Sequence, residues 1–273
     1  MKILYEDRDI IVCVKEPGVP SQSDKSRDMD MVNMLRNYLA SSGFGVTMAG
    51  GIPYIGLVHR LDRPVGGVMV FAKNPASLKV LNNQIQEKEI NKSYLAIAMI
   101  NNSAKLDELL NTKNYGIVHD SSYDKQALSS WFRVTDYLYQ DSRTNLSQIV
   151  ASSNRNGKKA ELDFRIIGMG SREIDFKKVS TCMLEVCLLT GRHHQIRVQM
   201  AGQGLPLMGD LKYNNLYNME SGKGKRISNK MVALYSYRLE FKHPRTKKKM
   251  EFTSYPTDGW FIDGKEFADI DRL

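Results

Sequence analysis

The stretch Gly56-Leu57-Val58-His59-Arg60-Leu61-Asp62-Arg63-Pro64-Val65-Gly66-Gly67-Val68-Met69-Val70-Phe71-Ala72-Lys73 organises the reading of this chain. Its end, Val68 to Ala72, is a short apolar run that predicts a buried strand. Asn74-Pro75 then has the form of a helix N-cap followed by proline at the first helical position, and Leu78, Leu81 and Ile85 supply that helix with an apolar stripe. The middle of the stretch is charged. Asp62 stands between Arg60 and Arg63 and precedes a Gly66-Gly67 pair, where missing side chains allow backbone or a ligand to come close. Taken alone, the acid and its arginines are better explained as a surface ion pair at a strand entrance.

Upstream, Ile3 to Tyr5 and Ile10 to Val14 read as strands around a charged turn, and Lys15-Glu16-Pro17-Gly18-Val19-Pro20 breaks the pattern. Met31 to Ala40 reads as a helix capped by Asp28 or Asp30 and ended by Gly43. Downstream, Tyr94 to Ile100 is strand-like. Residues 101–160 are polar, with isolated strand cues at Trp131, Phe132 and Val134 and a tight turn expected at Gly157-Lys158-Lys159. Cys182 to Leu189 reads as a strand turning at Thr190-Gly191-Arg192, before a short helix that ends near Gly202. Residues 214–230 are polar and basic and read as a loop. Tyr237 to Lys242 and Met250 to Ser254 flank His243-Pro244-Arg245-Thr246, a hairpin signal. Runs of strands with few helices between them argue for an α+β fold rather than a doubly wound one. Nothing reads as an interdomain linker, so residues 1–273 are taken as one catalytic domain, with two lobes around a cleft as the alternative arrangement.

Charge narrows the partner. Lys plus Arg number 39 against 30 Asp plus Glu, giving a net charge of +9 in 273 residues. That balance favours a polyanion, nucleic acid first and an anionic membrane surface second. Cys13, Cys182 and Cys187 form no plausible disulfide framework, which suggests a reducing compartment. The N-terminus lacks signal-peptide organisation, and no run approaches the roughly 18 apolar residues of a membrane span. A cytoplasmic protein is expected.

Several chemistries find no support. Five histidines include the adjacent His193 and His194, which cannot both face one site from a regular helix, and HExxH is absent, so no metal is expected. Ser221-Gly222-Lys223-Gly224-Lys225-Arg226 lacks Walker A spacing. Gly43-Phe44-Gly45 lacks the third glycine of a dinucleotide fingerprint. No Gly-x-Ser-x-Gly elbow is present.

A second informative segment is Leu188-Leu189-Thr190-Gly191-Arg192-His193-His194-Gln195-Ile196-Arg197-Val198-Gln199-Met200, followed by Gly209-Asp210-Leu211-Lys212-Tyr213. Its plain reading is an amphipathic helix with Ile196 and Met200 inward and the rest solvated. Together with His59-Arg60-Leu61-Asp62, however, it resembles the RluA-type family of RNA pseudouridine synthases. His-Arg-Leu-Asp is that family's pattern around the catalytic aspartate, and Thr-Gly-Arg-x-His-Gln-Ile-Arg followed by Gly-Asp-x-x-Tyr is its later motif. Lys15-Glu16-Pro17-Gly18, Lys92-Ser93-Tyr94-Leu95-Ala96 and Leu239-Glu240-Phe241-Lys242-His243-Pro244 are similar to further family segments in the same order. The chain departs from the pattern at Val65-Gly66-Gly67, where the family usually has Thr-Ser-Gly. It also departs at His193, usually Thr or Lys, and near Tyr235, often His.

The resemblance implies a pseudouridine synthase fold: a mixed, mainly antiparallel sheet with flanking helices and a central cleft, and without the family's common N-terminal S4 module. It implies isomerisation of uridine in ribosomal or transfer RNA without a cofactor. Asp62 would be the catalytic carboxylate, Arg197 would hold it ionised and oriented, and Tyr94 would stack on the uracil. The target nucleotide must leave its stack, and Arg60 or Arg63 would enter the gap or grip phosphate. His59, Arg192, Gln195, Lys158 and Lys159 complete the expected RNA-contacting set. The basic segments Arg155 to Lys159, Lys223 to Arg226 and Arg245 to Lys249 would add salt-sensitive affinity. The competing reading is a non-catalytic RNA-binding or ribosome-assembly protein on the same fold. A metal-dependent nuclease would need clustered acids that the sequence lacks.

Overall fold

The computed structural model describes residues 1–23, 27–42, 51–100, 131–174, 177–214 and 231–256. In chain order the described elements are β1 (Lys2–Glu6), β2 (Ile10–Lys15), α1 (Met31–Ser42), β3 (Gly56–Leu57), β4 (Gly66–Ala72), α2 (Pro75–Gln86), β5 (Asn91–Met99), β6 (Phe132–Asp141), β7 (Leu146–Val150), β8 (Lys158–Ile174), β9 (Lys177–Leu188), α3 (Gln195–Gly202), β10 (Leu234–Lys242) and β11 (Lys249–Thr253). They fall into two compact units: Met1–Ser93 with Tyr235–Pro256, and Tyr94–Leu234.

In the first unit the strands run β1-β2-β4-β10, with β11 beside β10 and β3 beside β4. β2 and β4 pair antiparallel, from Ile10 against Ala72 to Lys15 against Gly67. β10 joins β4 in parallel through Tyr235–Gly66 and Ser236–Gly67. Both β2 and β4 are buried along their full length, which is why they read as unbroken apolar runs rather than as alternating ones. Ile10, Val12, Val68, Val70 and Ala72 pack with Leu81 of α2 and with Leu239 and Phe241 of β10, while Leu78 and Ile85 lie against the same core. The stripe expected for α2 is therefore its packing face. Asn74 caps α2 by accepting the Ser77 N–H at 2.8 Å, and Asp30 accepts the Asn33 N–H at the start of α1.

The second unit carries the strand order β5-β9-β8-β6-β7. β8 and β9 form a long antiparallel hairpin with an irregularity between Ile166 and Gly168, β6 lies antiparallel to β8, and β7 to β6. Phe132 and Phe164 stack with ring centroids 5.3 Å apart. Val198 of α3 packs on Leu138 and Ala160.

The α+β expectation of a mixed, mainly antiparallel sheet with few helices is met. Two local expectations are corrected. Lys158 and Lys159 are strand residues of β8, and the turn spans Asn154 to Gly157, with Gly157 N–H donating to Asn154 O at 3.0 Å. The isolated cues at Phe132 and Val134 belong to a full strand, β6, whose outer residues are polar because only one face is covered. Gly43, the 214–230 loop beyond Asn214, and Lys223 to Arg226 lie outside the described residues.

The Gly66-Gly67 pair has a steric reason. Gly67 has φ +128°, and a Cβ there would stand 2.3 Å from Ser236 O of the paired strand. A Cβ on Gly66 would meet Pro17 and the Tyr235 ring at 3.0 Å. Gly67→Ala should lower stability by about 1–3 kcal/mol or more, seen as a lower urea midpoint. An unchanged midpoint would show that the β4–β10 junction gives way freely.

Candidate active site

The loop from Val58 to Val65 is held from several directions within the first unit. Ser21 bonds Leu61 twice, donating from Oγ to Leu61 O at 2.7 Å and accepting Leu61 N–H at 3.1 Å. Asp62 O accepts Val65 N–H at 2.9 Å, closing a tight turn. Arg63 O accepts from Gly18 N–H at 2.7 Å and from Lys15 Nζ at 3.1 Å, while Arg63 Nε donates to Gly18 O at 3.0 Å. Arg63 also pairs with Asp28. Gly18 has φ +89°, a conformation that suits glycine in this turn. Asp62 is half-buried at the tip, and Arg60 and Arg63 are exposed beside it.

Lys15 lies beneath this turn with none of its surface exposed. Burial draws its ammonium down to about 7, opposed first by the negative charge of Asp62 and then by that of Glu16, while Arg63 pushes further down. Sequence reasoning singled Lys15 out only as part of a turn. It follows five apolar residues of a buried strand, and nothing local marks it as an inward-facing charge.

His59 is buried. Its Nε2 accepts Val70 N–H at 3.2 Å, so Nδ1 carries the proton, and among the described residues Nδ1 has no hydrogen-bond partner. Burial, then the charge of Lys92, pushes its pKa down to about 3. Its ring ties the loop to β4.

The second unit holds the remaining expected residues. Tyr94 is buried in β5. Arg197 is buried in α3 and forms a bidentate pair with Asp210, with Nε–Oδ2 and Nη2–Oδ1 both 2.7 Å. Asp210 Oδ1 also accepts Lys212 N–H at 2.9 Å and Tyr213 N–H at 3.3 Å, so the Gly-Asp-x-x-Tyr segment curls around the guanidinium. Tyr213 places its ring 5.3 Å from the Arg197 guanidinium carbon. Its hydroxyl accepts Ser147 N–H and lies 2.8 Å from His194 Nδ1.

The plain amphipathic reading of α3 is corrected here, since every residue from Gln195 to Met200 is buried. His193 and His194 precede the helix rather than lying on it, and their rings stack at 3.7 Å. His194 caps α3 in the left-handed region, with φ +53°. Burial, followed by the positive charge of Arg197, pushes its pKa down to about 2, which leaves a neutral ring against Tyr213.

Gln195 is also buried. Its Oε1 accepts Thr190 Oγ1–H and Arg192 N–H at 2.9 Å each, and its Nε2 donates to Glu161 O at 3.0 Å. Arg192 is exposed and donates from Nε to Lys159 O. Lys158 is exposed, and Lys159 is exposed and pairs with Glu161 at 2.8 Å. Of the basic segment at the β10–β11 hairpin, Arg245 pairs with Asp9 and Lys249 with Glu240.

Among the described residues, one acid-histidine group brings ligand-type atoms within 4.8 Å of one another: Asp7, Asp9 and His243. Ordinary bonds explain it. His243 Nδ1 accepts Arg245 and Thr246 N–H, so Nε2 donates to Asp7 Oδ2 at 2.8 Å. Asp9 Oδ1 takes Arg245 at 2.6 Å and Asn74 at 3.2 Å. These contacts fasten the β10–β11 hairpin to the β1–β2 turn. No described helix is long and apolar enough to cross a membrane.

Comparison with known proteins points one way. A family model described as RNA pseudouridylate synthase matches residues 9–202. The chain is 28% identical over 255 residues to ribosomal large subunit pseudouridine synthase D of Borreliella burgdorferi, covering 93% of this chain and 65% of that protein. It therefore spans just under two thirds of that relative's length. It is 25% identical over 273 residues to tRNA pseudouridine synthase C of Haemophilus ducreyi, covering 98% and 96%. A solved structure of human RNA pseudouridylate synthase domain containing 4 shares the fold with a TM-score of 0.63 at 18% identity, covering 95% and 90%.

The two buried histidines set an acid sensitivity. An unfolded histidine takes up a proton near pH 6.5, whereas folded His59 stays neutral down to about 3. The unfolded state therefore binds more protons between these values. Stability is full above about pH 6.5 and declines as pH falls toward the folded value. In thermal melts between about pH 5 and 7, where most carboxylates remain ionised, His59→Gln should flatten the decline. Parallel curves for variant and wild type would mean that the His59 ring is not held neutral.

Proposed function

Since the chain belongs to the RNA pseudouridylate synthase family, we propose that it isomerises uridine in structured RNA to pseudouridine, with Asp62 as the catalytic carboxylate. The family match over residues 9–202 takes in Asp62, Tyr94 and Arg197 together. The observation that carries the assignment of Asp62 is its loop. A half-buried acid stands at the tip of a turn whose backbone is fixed by Ser21, Gly18 and Lys15. Rigid placement of a reacting group is what a positioned nucleophile requires.

The reaction breaks the bond from uracil N1 to ribose C1′, turns the base and joins C5 to C1′, with C5 giving up its proton and N1 taking one up. Asp62 attacks C1′, adds to uracil C6, or takes a proton from C2′ on a glycal route, and each route uses the ionised carboxylate. The family resemblance gives Arg197 a part in the same chemistry. Its own geometry is set by Asp210, which occupies Nε and Nη2 in one plane. Tyr94 offers the uracil a ring to stack on. Stacking is the role assigned to it here rather than proton abstraction, because a free phenol is a poor base at neutral pH.

Arg60 and Arg63, exposed beside Asp62, meet the RNA backbone where the base leaves its stack. Lys158, Lys159 and Arg192 add phosphate contacts that weaken with salt. His59 and Gln195 serve by holding their loops, because both are buried and engaged with backbone. The motifs place the chain with the RluA type. The substrate is ribosomal or transfer RNA, and the enzyme works in the cytoplasm, where unpaired thiols such as buried Cys13 and Cys182 persist.

Carbodiimide mapping of pseudouridine in a deletion strain tests this reading. One or more modified positions should vanish, return with the wild-type chain, and stay absent with Asp62→Asn, while RNA binding by that variant remains near wild type. Restoration by Asp62→Asn would remove the aspartate from the chemistry. In the same assay Arg197→Met should cut turnover by about 10²–10³-fold, the scale of losing one oriented charge in a transition state. An equal loss of RNA affinity with no separate loss of turnover would make Arg197 a phosphate contact.

A further inference from the structure

Ser147 lies in β7 and is buried. Three of its bonds reach the residues around α3. Its N–H donates to the Tyr213 hydroxyl oxygen at 2.8 Å. Its Oγ–H donates to His193 O at 2.7 Å, and Oγ also stands 2.9 Å from His193 Nδ1. A hydroxyl has one proton to give. The carbonyl takes it, so at Nδ1 the serine accepts and the His193 ring donates. The pair is the reverse of an activated nucleophile, in which the base draws the proton from the hydroxyl.

These bonds bear on Arg197. α3 has eight residues and Arg197 is the third of them, and so short a helix takes its stability and its direction from the contacts around it. His194 enters it at φ +53°, a conformation that a side chain disfavours, and supplies no capping bond. The His193 ring stacks on the His194 ring at 3.7 Å, and His193 is tied to Ser147 through both its carbonyl and its ring. The Tyr213 ring lies 5.3 Å from the Arg197 guanidinium carbon, and the Tyr213 hydroxyl takes the Ser147 N–H. One residue therefore grips the chain just ahead of Arg197 and the ring beside its guanidinium. It does so from a strand, since β7 pairs with β6 from Leu146 against Asp141 to Val150 against Tyr137.

Resting on the reading of Arg197 as a participant in the isomerisation of uridine, we propose that Ser147 is a positioning residue for Arg197. Buried as it is, the serine acts through His193 and Tyr213. Asp210 sets the plane of the guanidinium, and Ser147 sets where the helix that carries it begins. Such a hold matters because a displacement of about 1 Å at a reacting centre can cost on the order of 10²-fold in rate.

Two measurements test the proposal. The first requires no activity. Nitrogen–proton correlation NMR of the wild-type chain, at about pH 8 where an ordinary imidazole is neutral, should show the His193 proton on Nδ1. Ser147→Ala should move it toward Nε2. A wild-type His193 protonated on Nε2 alone, or a tautomer indifferent to Ser147→Ala, overturns the proposal.

The second measurement is a double-mutant cycle on turnover, run well below the melting temperature of each variant. Ser147→Ala should slow turnover of substrate RNA by at least about 10-fold while the Michaelis constant stays within about threefold. Ser147→Thr, which keeps the hydroxyl, should remain within about threefold of the wild-type rate. In an Arg197→Met background the same Ser147→Ala change should cost less than about twofold, because the group it positions is gone. Losses that multiply in the double variant, or unchanged turnover in Ser147→Ala, overturn the proposal. Should Ser147→Ala fail to fold, Tyr213→Phe removes the oxygen that takes the Ser147 N–H and should give the same cycle with Arg197→Met. If the wild-type chain leaves uridine unaltered, the proposed reaction fails, and the His193 tautomer still decides whether Ser147 grips the entry to α3.

Discussion

One constraint organises the first unit: a lysine ammonium withdrawn from water has to be satisfied by the protein. Lys15 ends a strand buried along its whole length, and its protons can reach only what the chain folds over them. The acceptors are two carbonyls, and using them draws the loop around Asp62 down onto the turn after β2. The other bonds of that loop follow the same geometry. Ser21 takes both backbone groups of Leu61, Gly18 exchanges bonds with Arg63, and His59 reaches across to the β4 backbone. A loop normally varies in conformation because its backbone bonds go to water. Here they go to protein, and the acid at the tip inherits the order of the sheet.

The second unit solves a similar problem with a different pair. Arg197 is buried on a short helix, and a lone guanidinium there would be strongly destabilising. Asp210 meets it in the planar, two-bond geometry that guanidinium and carboxylate share. Asp210 in turn collects the N–H groups of Lys212 and Tyr213, and Tyr213 joins His194 and Ser147. The neutral state of His194 belongs to this arrangement, since a second positive charge beside Arg197 would oppose the first. In both units the backbone or side chain around a charged residue is fixed by its neighbours in the fold.

Much of this was open to sequence reading wherever one physical rule dominated. Asn74-Pro75, the stripe of α2, the unbroken runs of β2 and β4, and the His243-Pro244 hairpin all follow local rules, and their elements formed as expected. The strands β6 to β8 were harder, because one-sided burial and long polar stretches dilute the period-two pattern. The turn at Gly157 was placed too late, since lysines serve an exposed strand edge as readily as a turn. The helix carrying Arg197 was the plainest failure of local reasoning. Its polar residues mimic a solvated face, and only contacts from distant segments reveal that Gln195, Arg197 and Gln199 are buried.

What the residues determined by themselves was the family and the α+β class, because these depend on short ordered patterns and on the periodicity of apolar residues. What tertiary structure decided was which polar side chains work from inside. Lys15 and Asp210 are ordinary charged residues in the linear chain. Their roles come from partners 48 and 13 residues away, which meet them only once the strands and the short helix are in place. The physical reason is desolvation: a charge acquires a unique position when water is no longer an alternative partner, and the removal of water is a property of the fold rather than of any segment.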